Sequence, residues 1–487
     1  MSLSFILRVS FLAVMGIGLC ATARAQQDTS DRLWQRSEQQ AQQLTSPSGT
    51  NLRQGEQSDA YREALGALTQ TPHDRLQQLL LDILDAINRR DWFGADRLLR
   101  QYERVPRHDP ALFDFVTASR LAAEGQYHAA IPLYRQTLVN NPYFARGNLD
   151  LAQVLYADNR LHDAQESFLQ LREQQLPIEI QRYVDTYLTA LEQRQRLQFS
   201  LTGAWVYEDN LNNASTVLDP CAIRLGNYCQ PNIPGEKISD TGLYFEASAN
   251  KLWALPGNHS LLFRSLNYGN NYHSKDDYNN LVSINYFGYQ YNSARNQFQF
   301  LPSFEYDNEG GHKAYHAFGA RTSFRRQLGD RAQLEFSYEY KDRHFASRLK
   351  NLQGGFRSAT LFGVYWLQPS MQLYGSLTWR DNDALLKTFA YQERVARLGI
   401  YKSFSNQLTL NLSYAYRQRR ADEGYFLFGK RQKDHENSVY VGITLPGYNW
   451  QGITPTLSYE YRDNRSNIAH AYNYQRNRIT LGLSRTF

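Results

Sequence analysis

From Phe199 to Phe487 apolar and polar residues alternate with a period of two, and this pattern limits the chain's fold more than any other feature. Phe199, Leu201, Gly203, Trp205 and Tyr207 share one parity, and Ser200, Thr202, Ala204 and Val206 the other. Leu334/Phe336/Tyr338/Tyr340, Leu408/Leu410/Leu412/Tyr414/Tyr416 and Ile479/Leu481/Leu483 repeat it. That is the period of a β-strand with two different faces. Tight-turn sequences such as Leu255-Pro256-Gly257-Asn258, Gly329-Asp330, Gln368-Pro369-Ser370 and Ser405-Asn406 follow alternate strands, and longer polar stretches follow the others. Short turns at one end and long loops at the other are the asymmetry of an outer-membrane barrel. At about 21 residues per strand and connection, residues 197–487 predict a transmembrane antiparallel β-barrel of about 14 strands.

A soluble β-sandwich is the competing fold, and the aromatic residues argue against it. The chain of 487 residues has 34 tyrosines, of which 26 fall in this half, many at strand ends where interfacial girdles sit. The mean hydropathy of −0.60 excludes a polytopic helical membrane protein but not a barrel, whose two faces average to a polar score. Charges set the register. Glu335, Glu339 and Lys341 lie opposite Phe336, Tyr338 and Tyr340, and a slip of one residue would turn them into lipid. They are expected in the lumen, together with the basic candidates Arg380, Arg397, Arg417 and Arg478, which would attract acidic segments. The last strand ends Ile479, Leu481, Leu483, Phe487 on one face, a terminal aromatic of the kind read by barrel-insertion machinery.

The N-terminus reads as an export signal over 1–25. Arg8 is the positive end, Phe11 to Leu19 a short apolar run, and Ala23-Arg24-Ala25 a small-x-small cleavage site. Its removal takes Cys20 and leaves Cys221 and Cys229 as an even pair in an oxidising compartment, predicting a disulfide; two free surface thiols are the alternative. Residues 26–72 form a Gln/Ser-rich linker region. Over 73–195 the apolar spacing is helical, and it repeats. Gly125, Ala130 and Tyr134 recur as Asn159, Ala164 and Phe168 at 34 residues, with a degenerate copy around Ala95 and Leu99. This resembles tetratricopeptide repeats, although an ordinary bundle of helical hairpins would show similar stripes. The domain organisation is thus all-α repeats in the periplasm followed by the barrel in the cell outer membrane.

Catalytic chemistry is hard to find. Gly424 to Lys430 imitates a phosphate loop, but Arg431 stands where Ser or Thr is needed and no helix follows. His273, Asp276, Asp277 and His344 are ordinary loop polar residues without a convergent constellation. No catalytic residue, metal or cofactor is assigned, the chain is not expected to be an enzyme, and no Lys/Arg cluster suggests nucleic acid. The most distinctive segment is Tyr207, Glu208, Asp209, Asn210, Leu211, Asn212, Asn213, where the first strand ends. A structural strand-exit turn and direct substrate contact both fit it.

An export signal, short helical repeats, a barrel of about 14 strands, Asp209-Asn210-Leu211-Asn212-Asn213 at its start and terminal Phe487 together resemble the surface lipoprotein assembly modulators of Gram-negative bacteria. The resemblance implies an outer-membrane translocator moving lipoproteins, or related haem- and iron-acquisition proteins, from periplasm to cell surface. Its partners would be the exported client, outer-membrane lipid, the barrel-insertion machinery and periplasmic chaperones. A polysaccharide export barrel with a helical-repeat scaffold and a passive porin are the alternatives.

Overall fold

A computed structural model describes residues 75–487, apart from 226–227, 405–406 and 426–427. The expected signal peptide, the Gln/Ser-rich linker and the Ser405-Asn406 turn lie outside the described residues.

Among the described residues seven helices come first: α1 (Arg75–Asn88), α2 (Trp92–Tyr102), α3 (Ala111–Ala123), α4 (Tyr127–Asn140), α5 (Ala145–Ala157), α6 (Leu161–Arg172) and α7 (Ile178–Gln195). The turns inside the pairs α1–α2, α3–α4 and α5–α6 share one geometry. Arg90, Gly125 and Asn159 each take a left-handed backbone at φ 56°, 72° and 59°. The amides of Asp91, Gln126 and Arg160 then donate back to the carbonyls of Ala86, Leu121 and Leu155 at 2.8–2.9 Å. This is a Schellman closure, which satisfies carbonyls left over at a helix end. The copy that looks degenerate in sequence therefore has the same turn as the others, with Arg90 bearing the conformation that glycine adopts freely. Ala130 and Ala164 are fully buried, and so are the aromatics beside them. Tyr134 packs edge-on against Phe115 at 5.7 Å, and Phe168 stacks on Tyr187 at 4.7 Å. Burying each such ring contributes roughly 1.5–3 kcal/mol, and burial raises the Tyr134 phenol well above its ordinary pKa.

Fourteen antiparallel strands then close a barrel in which β1 (Gln198–Glu208) pairs with both β4 (Asp240–Ala254) and β16 (Tyr474–Thr486). Between them run β5 (His259–Tyr272), β6 (Asn280–Asn292), β7 (Asn296–Glu309), β8 (His312–Leu328), β9 (Ala332–Phe345) and β10 (Gly354–Gln368). The circuit continues through β11 (Met371–Asn382), β12 (Tyr391–Phe404), β13 (Leu408–Tyr425), β14 (Lys430–Thr444) and β15 (Ile453–Ser466). A hairpin of β2 (Ile223–Leu225) and β3 (Tyr228–Gln230) stands apart in the first outer loop. Glu335, Glu339 and Lys341 on β9 are at most 5% exposed, whereas Phe336, Tyr338 and Tyr340 are 40–52% exposed on the lipid face. The alternation of short and long connections is broken in more than one place: the inner link between β14 and β15 spans residues 445–452, and on the outer side β13 and β14 are only four residues apart. β7 and β8 are joined on the outer side by Gly310-Gly311 alone, both at positive φ. That two-residue hairpin turn matches the twist of the flanking strands.

Candidate functional site

The strand-exit segment joins the first strand to the last. The β1–β16 ladder ends at Glu208 opposite Arg478. Beyond it, the Asp209 amide donates to the Asn477 carbonyl at 3.2 Å. The Asp209 carboxylate accepts from the Asn477 amide and side chain at 2.7 and 2.6 Å. Asn210, fully buried, donates to the carbonyls of Gln475 and Ala214 and accepts from the Ala214 amide. Asn212 accepts from the Ile238 amide and donates to the Glu236 carbonyl, fastening the return arm of the loop. Asn213 turns the chain at φ 47°, and buried Leu211 packs with Val206 and Tyr272. Tyr207 lies opposite Ile479 in the ladder. Carboxylate and carboxamide side chains suit this work because each offers an acceptor, and Asn also a donor, at backbone reach.

Past the segment, the outer loop covers the same junction. Ser215 donates to the Ala469 carbonyl at 2.7 Å in the short helix α8 (Ala469–Tyr472), and His470 faces Asp219 at 3.2 Å. The Asp219 carboxyl is held below its ordinary value, first by the Cys221 amide and further by His470. Cys221 and Cys229 are bonded, with Cα atoms 4.7 Å apart, and tie the residues just before β2 to β3.

Arg380, Arg417 and Arg478, among the basic lumen candidates, are engaged with carboxylates. Arg380 meets Glu393 at 2.5 Å, Arg417 meets Glu436 at 2.6 Å, and Arg478 meets Glu208 at 2.7 Å. Glu393 also takes Arg419 at 2.7 Å, and Lys341 sits between Glu305 and Glu339 at 2.6 and 3.4 Å. Arg397 is buried on the same face of β12 as Glu393. The bore is therefore a lattice of opposite charges rather than a basic funnel. The sequence reading placed Glu335 and Glu339 in the lumen but left out Glu393 and Glu436, although their parity on β12 and β14 is inward as well.

A second contact region went unread altogether. The turns between paired helices dock on the turns at the near end of the barrel. Asn258 donates to the Asp158 carbonyl at 2.5 Å, Asn159 to the Ser293 carbonyl at 3.1 Å, and the Gly257 amide to Asp163 at 3.0 Å. Lys251 donates to the Gln195 carbonyl at 2.6 Å where α7 runs into β1. Arg194, 8% exposed, lies over the Tyr156 ring at 4.2 Å and donates to Asn159. Its burial lowers the guanidinium pKa from the usual value. Asn159 thus serves both as the left-handed turn residue of its repeat and as a link to the barrel. Among the described residues no group of three or more His, Cys, Asp or Glu is placed to hold a metal ion.

These elements define a class: a β-barrel of the outer membrane whose helical-repeat domain sits in the periplasm against its inner rim. Within that class the chain belongs to the surface lipoprotein assembly modifier family, whose barrel profile matches residues 197–487 and whose N-terminal repeat profile matches 67–168. It is similar to the hemophilin secretion modulator of Acinetobacter baumannii, with 28% identity over 441 residues, 86% of this chain and 87% of that protein. Surface lipoprotein assembly modifier 1 of Haemophilus influenzae is 26% identical over 417 residues, 84% of each chain. Surface lipoprotein assembly modifier 2 of the same organism is 25% identical over 504 residues, 99% of this chain and 98% of that one. The family is one of non-enzymatic outer-membrane proteins.

Proposed function

We propose that this chain delivers lipoproteins or related haem- and iron-acquisition proteins from the periplasm to the cell surface. The helical repeats hold the client beside the barrel mouth and raise its local concentration there. The observation that carries this reading is the docking of Asp158, Asn159 and Asp163 on the turns around Asn258 and Ser293, which supports a fixed spacing between captured client and pore. The barrel, residues 197–487, supplies the path, and the terminal face of Ile479, Leu481, Leu483 and Phe487 is the signal for its insertion. The bonded Cys221 and Cys229 brace the outer loop. Co-expression with a client in a heterologous bacterium is expected to make the client protease-accessible on intact cells. Deleting residues 73–195 is expected to abolish that display while the barrel stays heat-modifiable on gels. A client that remains protected beside a correctly assembled barrel would overturn the reading.

A further inference from the structure

The outward rim of the barrel is chemically uneven. On the wall formed by β4 to β7, the lipid-facing residues near the outer end are neutral: Leu243, Asn267, Ser283 and Tyr306. On β12 to β15 the corresponding positions are basic. Arg394 on β12, Arg420 on β13, Lys433 on β14 and Arg465 on β15 are all exposed. Arg420 and Lys433 are direct cross-strand partners on one outward face. Arg394 is opposite Gln418, one step diagonal to Arg420, and Arg465 is opposite His435, one step diagonal to Lys433. Neighbouring strands lie about 4.8 Å apart, so the four cations span about 14 Å along the rim.

Like charges directly opposite one another in a strand pair are destabilising. In the bore the same protein sets carboxylates against clustered arginines, as Glu393 does for Arg380, Arg417 and Arg419. Here it does not. Asp463 is taken by Arg465 at 3.2 Å. Among the described residues the side chains of Arg394, Arg420 and Lys433 make no hydrogen bond or ion pair. Asp422 and Asp381 also belong to this rim; Asp381 is paired with Arg357 at 3.3 Å, and Asp422 has Lys387 and Arg431 nearby. Depth supplies the second half of the argument. Deeper on the same outward faces, past Gln418, His435 and Asp463, come Tyr416 and Tyr414, then Leu412, with Tyr461 and Tyr459 beside them, and past Ala396 comes Leu398 on β12. Such an aromatic step marks the boundary between headgroups and acyl chains. The cations therefore sit at headgroup height and face outward.

We propose that the outer face of β12–β15 is a binding site for a phosphate-bearing lipid headgroup of the outer leaflet, held by Arg394, Arg420 and Lys433 with its acyl chains against the tyrosine belt. Arginine's planar fork suits phosphate oxygens, and Lys433 adds a point charge. The site lies on the wall opposite the one under which the helical repeats dock, so a bound lipid fixes the height of that wall.

The test uses the full-length protein in detergent and native mass spectrometry with added lipid A. Wild type is expected to retain lipid A about tenfold more strongly than the R394Q/R420Q/K433Q variant, the loss appropriate to removing charge-assisted contacts. Lipid A stripped of its phosphates is expected to bind wild type no better than the variant. K402Q/R485Q, which removes outward charges at the opposite end, is expected to leave retention unchanged. Equal retention by wild type and the triple variant would overturn the proposal, and so would equal binding of the phosphate-free lipid. Displacement of lipid A by millimolar inorganic phosphate would make this a simple anion site and overturn it too. Loss of an acidic client, rather than lipid, from the triple variant would assign the stripe to protein recognition instead. Heat-modifiability reports folding of each variant; if the triple variant misfolds, R420Q and K433Q are measured singly.

Discussion

Glu393 shows what the bore demands of single residues. It is 1% exposed, and its two oxygens serve Arg380, Arg417 and Arg419. Removing one partner from such a group leaves the others as uncompensated buried charge, which costs about 3–5 kcal/mol. Glu393→Ala is therefore expected to lower the unfolding free energy of the detergent-solubilised barrel, read from urea titration, by that amount, whereas Glu423→Ala at the exposed outer end of β13 is expected to change it little. Asp219 lies at the opposite extreme, on the surface. The Cys221 amide, and after it His470 and Lys430, hold its carboxyl below the ordinary 3.8. A depressed carboxyl stabilises the folded form above its unfolded pKa, and that contribution disappears as pH falls through the lower folded value. The outer loop is thus expected to resist protease equally at pH 7 and pH 5 and to loosen only below about pH 4. At this scale the sequence disclosed faces but not partners. Parity placed Lys341, Arg380 and Arg417 inside, since a period of two has only two answers. Which carboxylate each one meets depends on the stagger between neighbouring strands, which hydropathy does not encode.

At the scale of elements, the junction between α5 and α6 carries the most consequence. Asp158 and Asn159 form a helix-pair turn and at the same time grip the β4–β5 and β6–β7 turns. Asn258→Ala removes donors to the Asp158 carbonyl and carboxylate and to the Asn292 carbonyl while leaving the helical core untouched. Each lost hydrogen bond is worth about 0.5–1.5 kcal/mol. The variant is expected to be cut faster between α7 and β1 in limited proteolysis and to display several-fold less client, with unchanged heat-modifiability. The strand-exit clasp makes a complementary prediction. Asp209→Ala combined with Asn210→Ala removes the side-chain links of those two residues to β16 while the Glu208–Arg478 pairing remains. Cysteines placed at Val206 and Thr480, which face each other in the ladder, are then expected to cross-link normally, whereas Asn213 and Ser215 become accessible to protease. The sequence revealed these elements unevenly. Two helical repeats were readable because Gly125 and Asn159 tolerate a left-handed turn; the first was obscured because Arg90 adopts the same turn without advertising it. Docking of one half on the other was invisible, because it is made by backbone carbonyls and ordinary asparagines that carry no periodic signal.

For the whole molecule the decisive question is whether the barrel stands open. A passive porin needs a continuous column of water along its wall. Here the inward side chains reach past their immediate neighbours: Tyr286 on β6 donates to Glu339 on β9 at 2.9 Å, and Arg478 on β16 donates to Asn270 on β5 at 2.7 Å. Tyr272 on β5 likewise reaches Glu208 on β1 at 2.5 Å. Contacts that skip one or two strands draw the inner surface toward the axis, and the carboxylates they join, Glu208 and Glu339, are almost wholly covered. At the outer end the loop bearing Leu211 adds a further layer. These restraints belong to residues 198–487 and do not involve the helices, so they persist when the helical half is removed. The full chain and a variant lacking residues 73–195 are both expected to give planar-bilayer conductance far below that of an open porin, and equal to each other. Glu393→Ala and Glu208→Ala, which free arginines to swing, are expected to raise the current. A large, steady conductance in the unmodified protein would mean that the bore is already a channel, and capture by the helical half would then be superfluous to whatever crosses it.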